Sequence, residues 1–173
     1  MGDFSMFGIN NYKPKIYSNA SNIIEDHGTR FEALIGMNVE EIWVAWDQDE
    51  DKWFNDGPVI IRFEDCQIEL CAFKWDEYAV SFDEIPVPGE LCWYGTDLDL
   101  KWEKNRLEDL HFAIGKRVTG IEIIEKCEIN TKDSLVGIGF HLNNGYFSIC
   151  NGLDQNMINK KREEGQAYKY TNI

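Results

Sequence analysis

GFHLNNGYFSICNGLDQN, Gly139 to Asn156, reads as a strand, a tight turn, a second strand and a polar stop. Val136, Ile138 and Phe140 fall on one face of an extended chain, because successive strand side chains point to opposite sides. Asn144-Gly145 predicts a type I′ hairpin turn, whose two central residues both need positive φ. Tyr146 to Cys150 is the returning strand. At Asn151 to Asn156 it must stop, since Asn, Gly and Asp let the backbone turn.

An earlier stretch resembles this one. Ile35, Gly36, Val39, Ile42 and Val44 recur in type as Ile114, Gly115, Val118, Ile121 and Ile123, 79 residues later. Phe31, Leu34 and Ile35 have helical spacing, as do Leu107, Leu110 and Ile114. Gly36 and Gly115 then stand where a helix C-cap glycine belongs. Pro58 to Phe63 matches Leu135 to Phe140 at an offset of 77, and Gln67 to Cys71 matches Tyr146 to Cys150 at 79, so the second turn is expected to be two residues longer. Each unit, about 28–84 and 107–158, is a helix, a strand and a hairpin. Neither closes a core alone, because three strands and a short helix leave a face bare. The fold expected is α+β, mainly antiparallel β, with two pseudo-symmetric helix–strand–hairpin units packed into one domain over 1–173.

The segments around the units are read from local signals. Ile85-Pro-Val-Pro-Gly-Glu90 is a connecting turn segment, and Leu100 to Ile114 is helix-like. Residues 1–17 supply an edge strand, and Ser18 to His27 a short helix begun by Ser21 or Asn22. Asn159 to Glu164 permits a helix that Gly165 would break. The last residues form a tail or a final strand.

The net charge of −14 over 173 residues is unevenly spread. Residues 1–100 hold 21 Asp/Glu against 6 Lys/Arg, and 101–173 hold 10 against 11. Such a surface repels nucleic-acid phosphates and anionic membranes. It attracts a basic protein and speeds encounter with it; mere solubility is the plain alternative. No apolar run reaches the length of a membrane span, and the N-terminus has no export signal. Met6 stands where a myristoylation motif needs Ser or Thr. The cysteines, Cys66, Cys71, Cys92, Cys127 and Cys150, are odd in number without Cys-x-x-Cys spacing, which argues against a disulfide framework or a zinc knuckle. Four of them lie in apolar, strand-like surroundings. The expected location is cytoplasmic, with no cofactor.

Candidate sites are few. Asp47-Gln-Asp-Glu-Asp51 begins like an EF-hand loop, but Lys52 and Pro58 occupy the positions that need Gly and Glu. It reads instead as an acidic loop flanked by Trp46 and Trp53. Large aromatics anchor and carboxylates steer when a basic partner is gripped; core packing is the other use for those tryptophans. Trp75-Asp76-Glu77 follows the first hairpin as Leu153 to Asn156 follows the second. Paired carboxylates from those two places would serve acid–base or metal chemistry, but no histidine lies at ligand spacing. Cys150 and His141 are the single thiol–imidazole combination with hairpin geometry behind it. The partner-binding residues expected are Trp46, Asp47, Asp49, Asp51, Trp53, Trp75, Asp76 and Glu77, with no catalytic or metal residue.

The strand–turn–strand ending in Tyr146 to Asn156 resembles a pattern in small bacterial proteins similar to immunity proteins of polymorphic toxin systems. The resemblance covers the second unit and weakly the first, and carries no functional residue over. It implies a cytoplasmic inhibitor that binds a toxin domain. The function expected is a non-enzymatic binding protein for a basic partner. Its rival is a small-molecule or saccharide-binding domain with tryptophans in a groove between the units.

Overall fold

Asn19 starts a long helix. Its side chain accepts the Asn22 N–H at 2.9 Å, satisfying one of the donors a helix start leaves free. The computed structural model describes residues 5–127 and 134–173. In order these form β1 (Lys15–Tyr17), α1 (Ala20–Leu34), β2 (Glu41–Asp47), β3 (Lys52–Trp53), β4 (Val59–Arg62), β5 (Gln67–Phe73), β6 (Glu77–Phe82) and β7 (Leu100–Lys104). There follow a 3₁₀ segment at Glu108–Ala113, then β8 (Val118–Cys127), β9 (Ser134–Leu142), β10 (Gly145–Asn151), β11 (Asn156–Asn159) and β12 (Tyr168–Asn172). The helix is longer than expected and its cap is Asn19, not Ser21 or Asn22.

Two sheets result, mostly antiparallel β with one main helix. The first runs β1-β6-β5-β4-β2-β3, with β7 also pairing with β2; the second runs β11-β10-β9-β8-β12. The expected edge strand in 1–17 is β1, and the last residues form a strand. Leu100 to Ile114 is not one helix. Leu100 and Trp102 alternate into the interior along β7 and Asn105 breaks the run at φ 54°, so strand periodicity prevails up to Lys104. The chain after Asn159 is not helical either. Arg162 is drawn back over the second sheet by the buried Glu122.

Both sheets and the helix contribute to one apolar core. Val44, Ile61 and Leu70 of the first meet Ile123, Phe140 and Phe147 of the second, with Phe31 and Leu34 of α1. Burying such side chains is worth roughly 1.5–3 kcal/mol each. The Tyr78 hydroxyl crosses between sheets and donates to the Ile149 carbonyl at 2.7 Å. Gly36 N–H donates to the Val118 carbonyl at 2.8 Å, and Gly115 N–H to the Val39 carbonyl at 2.7 Å. Both glycines take left-handed φ, 97° and 77°, a conformation that strains other residues.

Register corrects one expectation. Ile42 pairs with Ile61 and Ile121 with Phe140; Ile61 pairs with Ile68 and Phe140 with Phe147. Across β2, β4 and β5 and across β8, β9 and β10 the paired residues therefore stay 79 apart, and the second hairpin turn is not longer. Ile61, not Phe63, stands where Phe140 does. The turn is also not type I′. Its loop residues are Asn143 and Asn144, between paired Leu142 and Gly145, and neither has positive φ. Tertiary bonds hold it: Asn143 Oδ1 accepts the Arg117 N–H at 3.2 Å, and Asn144 Nδ2 donates to the Phe112 carbonyl at 3.0 Å.

The opposite face of the first sheet is covered by the N-terminal segment and by residues 85–93. Trp43, Ile60, Cys71 and Trp102 pack there against Phe7, Tyr12 and Ile85. Glu69 is buried on this face and ties the cover down. Its Oε1 accepts the N–H groups of Glu84 (2.6 Å) and Ile85 (2.7 Å), and Ser81 Oγ donates to its Oε2 at 3.3 Å. Burial raises its carboxyl above the ordinary range despite these donors. A raised folded-state pKa gives stability that is complete below the unfolded value and is lost as pH rises through the folded one. Glu69→Gln keeps an acceptor for both N–H groups without the charge. Its stability relative to the wild type is expected to grow as pH rises from about 4.5 to neutrality, measured by urea unfolding across pH. Glu69→Ala, which orphans two backbone donors, is expected to lose about 2–4 kcal/mol.

Candidate functional site

Asn151 and Asn156 bracket the polar stop of the second sheet, and both are buried. Asn156 Oδ1 accepts the Ala72 N–H at 2.7 Å, while its Nδ2 donates to the carbonyls of Gly57 (2.7 Å) and Asn55 (3.1 Å). Asn151 Nδ2 donates to the Glu77 carbonyl at 3.1 Å and, at 3.4 Å, to those of Lys74 and Trp75; its Oδ1 accepts the Asp154 N–H at 3.0 Å. These two amides bring loops 54–57 and 74–76 of the first sheet against loop 152–155 of the second. The stretch is thus more than punctuation: it joins the sheets.

At this end large apolar side chains reach the surface. Trp75 is 64% exposed and Leu153 48%, and Tyr94, from the segment beside them, is 55% exposed. A cleft of about 210 Å³ opens between the loops, lined by Phe73, Trp93, Tyr94, Asp56 and Asp154 among others. Asp56 and Asp154 come from different sheets. Partial burial of Asp56, then the charge of Asp154, raise the Asp56 carboxyl. Backbone strain concentrates here too. Lys74, Tyr94, Leu153 and Asp154 all take positive φ, at about 1–2 kcal/mol for a residue with a Cβ. Strain of this kind persists where surrounding structure enforces it, and it clusters at working sites.

The residues expected from sequence divide into two groups. Trp46 and Trp53 face one another across β2 and β3 and pack partly buried against the core. Asp47 is buried, and its Oδ1 accepts the N–H groups of Asp49 (3.0 Å) and Glu50 (3.1 Å), so it shapes the turn. Asp51 accepts from the Trp46 indole and from Arg106, both at 3.0 Å. Of this acidic loop, Asp49 alone is an exposed carboxylate without a side-chain partner among the described residues. Trp75 and Asp76 lie in the loop before β6, and Glu77 begins that strand. The carboxylate that lines the cleft with Asp154 is Asp56; Asp76 is not in that lining. Sequence reading missed Asp56, Tyr94 and Leu153. Tyr94 and Leu153 had one local signal, an apolar residue inside a turn-rich segment; Asp56 had none.

A second groove, about 600 Å³, lies between the sheets and is lined by Trp46, Trp53, Asn55, Arg106, Asp109 and Gln155 among others. Trp53 Nε1 is buried there without a hydrogen-bond partner among the described residues. The Arg106 guanidinium covers the Trp46 ring at 4.6 Å, and Lys160 bridges to Asp109 at 2.9 Å.

On the outer face of the second sheet, buried Glu122 gathers Tyr146 (3.0 Å), Arg162 (3.1 Å) and His141 (3.3 Å). His141 and Cys150, the one thiol–imidazole combination the hairpin offered, do not come together. Strand register sets His141 opposite Tyr146 and Cys150 opposite Gly137, and the Cys150 thiol, pushed up to about 11 by burial, donates to Ser148 Oγ at 3.5 Å. Cys71 and Cys150 are buried in strands and Cys66 is half-buried, but Cys92 and Cys127 are exposed, fewer in apolar surroundings than expected. Among the described residues no group of three His, Cys, Asp or Glu side chains is placed to hold a metal ion, and no helix is long and apolar enough to cross a membrane. Comparison with known protein families, with curated proteins and with solved structures finds no match.

Proposed function

We propose that this chain is a non-enzymatic cytoplasmic binding protein that grips a basic protein at the loop end built on Asn151 and Asn156. The observation that carries this reading is the exposure of Trp75, Tyr94 and Leu153 beside Asp56, Asp76 and Asp154. Aromatic anchors ringed by polar groups are the pattern of a protein-binding hot spot. The charge of −14 supplies the long-range attraction. An inhibitor of the immunity-protein kind, facing a basic toxin, is the specific form proposed. Two units related by duplication within a single domain belong to the same reading, supported by the 79-residue offset in register that β2, β4 and β5 share with β8, β9 and β10. Nucleic acid and membrane are not the expected partners, because their phosphates carry the same sign of charge.

Affinity capture from the native host at low ionic strength is expected to retrieve a basic protein. Its association rate falls about tenfold on going to physiological salt, since steering of exposed charges is screened beyond a Debye length. Trp75→Ala with Leu153→Ser abolishes capture and leaves the unfolding midpoint in place, because both side chains are exposed. Capture that survives both changes, or an association rate indifferent to salt, removes this reading.

The groove between the sheets supports a second reading, a site for a small molecule or saccharide. The unpartnered indole N–H of Trp53 is the observation in its favour. A tryptophan fluorescence shift on titration with neutral sugars, unchanged by salt and lost in Trp53→Phe, is its expected signature.

A further inference from the structure

The cleft at the loop end has the chemistry of a cation receptor. Phe7 meets Phe73 edge-on at 5.6 Å and stacks on Trp93 at 6.0 Å, and Trp93 meets Tyr94 edge-on at 5.0 Å. These rings line the cleft together with the Asp56 and Asp154 carboxylates. Neither carboxylate forms an ion pair among the described residues. Aromatic faces attract ammonium and guanidinium groups through the negative potential of the ring. The chain's own Lys74 ammonium already lies over the Phe73 ring, 5.2 Å from its centroid. Lys74 itself lines the cleft, so a cation is at home on this wall, while no ion pair joins it to either carboxylate among the described residues.

We infer that this cleft takes one lysine or arginine side chain of the basic partner, its stem against the aromatic rings and its charge between Asp56 and Asp154. The inference rests on the partner-binding reading and sharpens it: Trp75 and Leu153 hold the partner's surface, and the cleft selects for a positive side chain. Asp56 and Asp154 repel each other when the cleft is empty, so replacing them by Asn removes a cost to the free protein as well as the receptor. Loss of binding in such a variant is thus separable from loss of fold.

The test is a ¹H–¹⁵N NMR titration of the full chain with acetyl-Gly-Lys-Gly-amide, acetyl-Gly-Arg-Gly-amide and the neutral acetyl-Gly-Met-Gly-amide. The cationic peptides are expected to give saturable shifts confined to residues 54–57, 73–75, 93–95 and 152–154, and the neutral peptide none. Asp56→Asn with Asp154→Asn is expected to weaken the cationic peptides by about tenfold or more, with an unfolding midpoint no lower than wild type. Equal shifts from the neutral peptide, shifts spread over the acidic surface, no binding at all, or affinity unmoved by the double variant each overturn the inference. Trp75→Ala separates the two ideas. Cationic peptides that still bind in the cleft while capture of the partner never depended on Trp75 and Leu153 would remove the partner surface and keep the receptor. Capture lost in the Trp75 and Leu153 variant, with peptides indifferent to the double variant, would do the reverse.

Discussion

Asn156→Ala is expected to lower the unfolding free energy by about 3 kcal/mol, read from urea denaturation at constant m-value. The side chain is buried and polar, and all of its hydrogen-bonding capacity goes to the other sheet. Removing it orphans the Ala72 N–H and takes donors from the carbonyls of Gly57 and Asn55. The contacts to the Ala72 N–H and the Gly57 carbonyl are buried, so losing them carries a desolvation cost. Asn156→Asp is expected to do no better, since it keeps the acceptor but loses both donors and buries a charge. Asn151→Ala provides the contrast. Its bonds to the 74–77 loop run from 3.1 to 3.4 Å, and the expected loss is about 1 kcal/mol. If the two substitutions cost the same, the asymmetry argued from bond length is wrong. Either change should also loosen the loop end, with faster amide exchange in 54–57 and 74–76.

Gly137→Val sets local preference against tertiary packing. Valine is a strong strand former and glycine a weak one, so strand propensity alone favours the substitution. The structure gives the opposite sign. A Cβ at residue 137 would lie 2.4 Å from the Cys150 Sγ and 3.0 Å from the Cys150 Cα on the neighbouring strand. The backbone contact cannot be relieved by a rotamer change. The expected cost is about 2–3 kcal/mol, measured by thermal and chemical unfolding. Cys150→Ala in the same chain removes the closest atom but not the Cα. The double variant should therefore recover part of the loss, with a coupling of about 1 kcal/mol. Full additivity would mean that the strands separate rather than collide.

Much of the fold was legible because it rests on periodic burial. The alternation of Val59 with Ile61, and of Val136 with Ile138 and Phe140, specifies strands with one buried face whatever surrounds them. The pair of glycines at Gly36 and Gly115 marked where each helical segment ends, and both take the left-handed backbone expected there. The failures share one cause. Leu100 to Ile114 holds apolar residues that fit helical and strand spacing alike, and pairing of β7 with β2 decided between them. The Asn144-Gly145 signal located the hairpin but not the turn, whose backbone follows from bonds to Arg117 and Phe112 far away in sequence.

The site was less legible than the fold. Trp46, Asp47 and Asp51 looked like a contact surface because tryptophans flank an acidic run there. Bonds from Asp47 to its own turn, and from Asp51 to Arg106 and Trp46, spend those groups on the fold itself. Trp75 remained exposed because its loop leaves the sheet before β6 begins. Asp56 and Asp154 stand 98 positions apart in sequence, and nothing local to either announces the other.

By itself the sequence determined the class of fold, the placement of both hairpins, the helix-ending glycines and the concentration of negative charge before residue 101. These depend on each residue's own hydrophobicity, charge and backbone freedom, which are local properties. The tertiary structure alone decided that Asn151 to Asn156 joins two sheets, that Asp56 and Asp154 line one cleft, and that Trp75, Tyr94 and Leu153 share one exposed end. Those are facts of which strands lie side by side. An amide records the need for partners, but only packing decides which partners it finds.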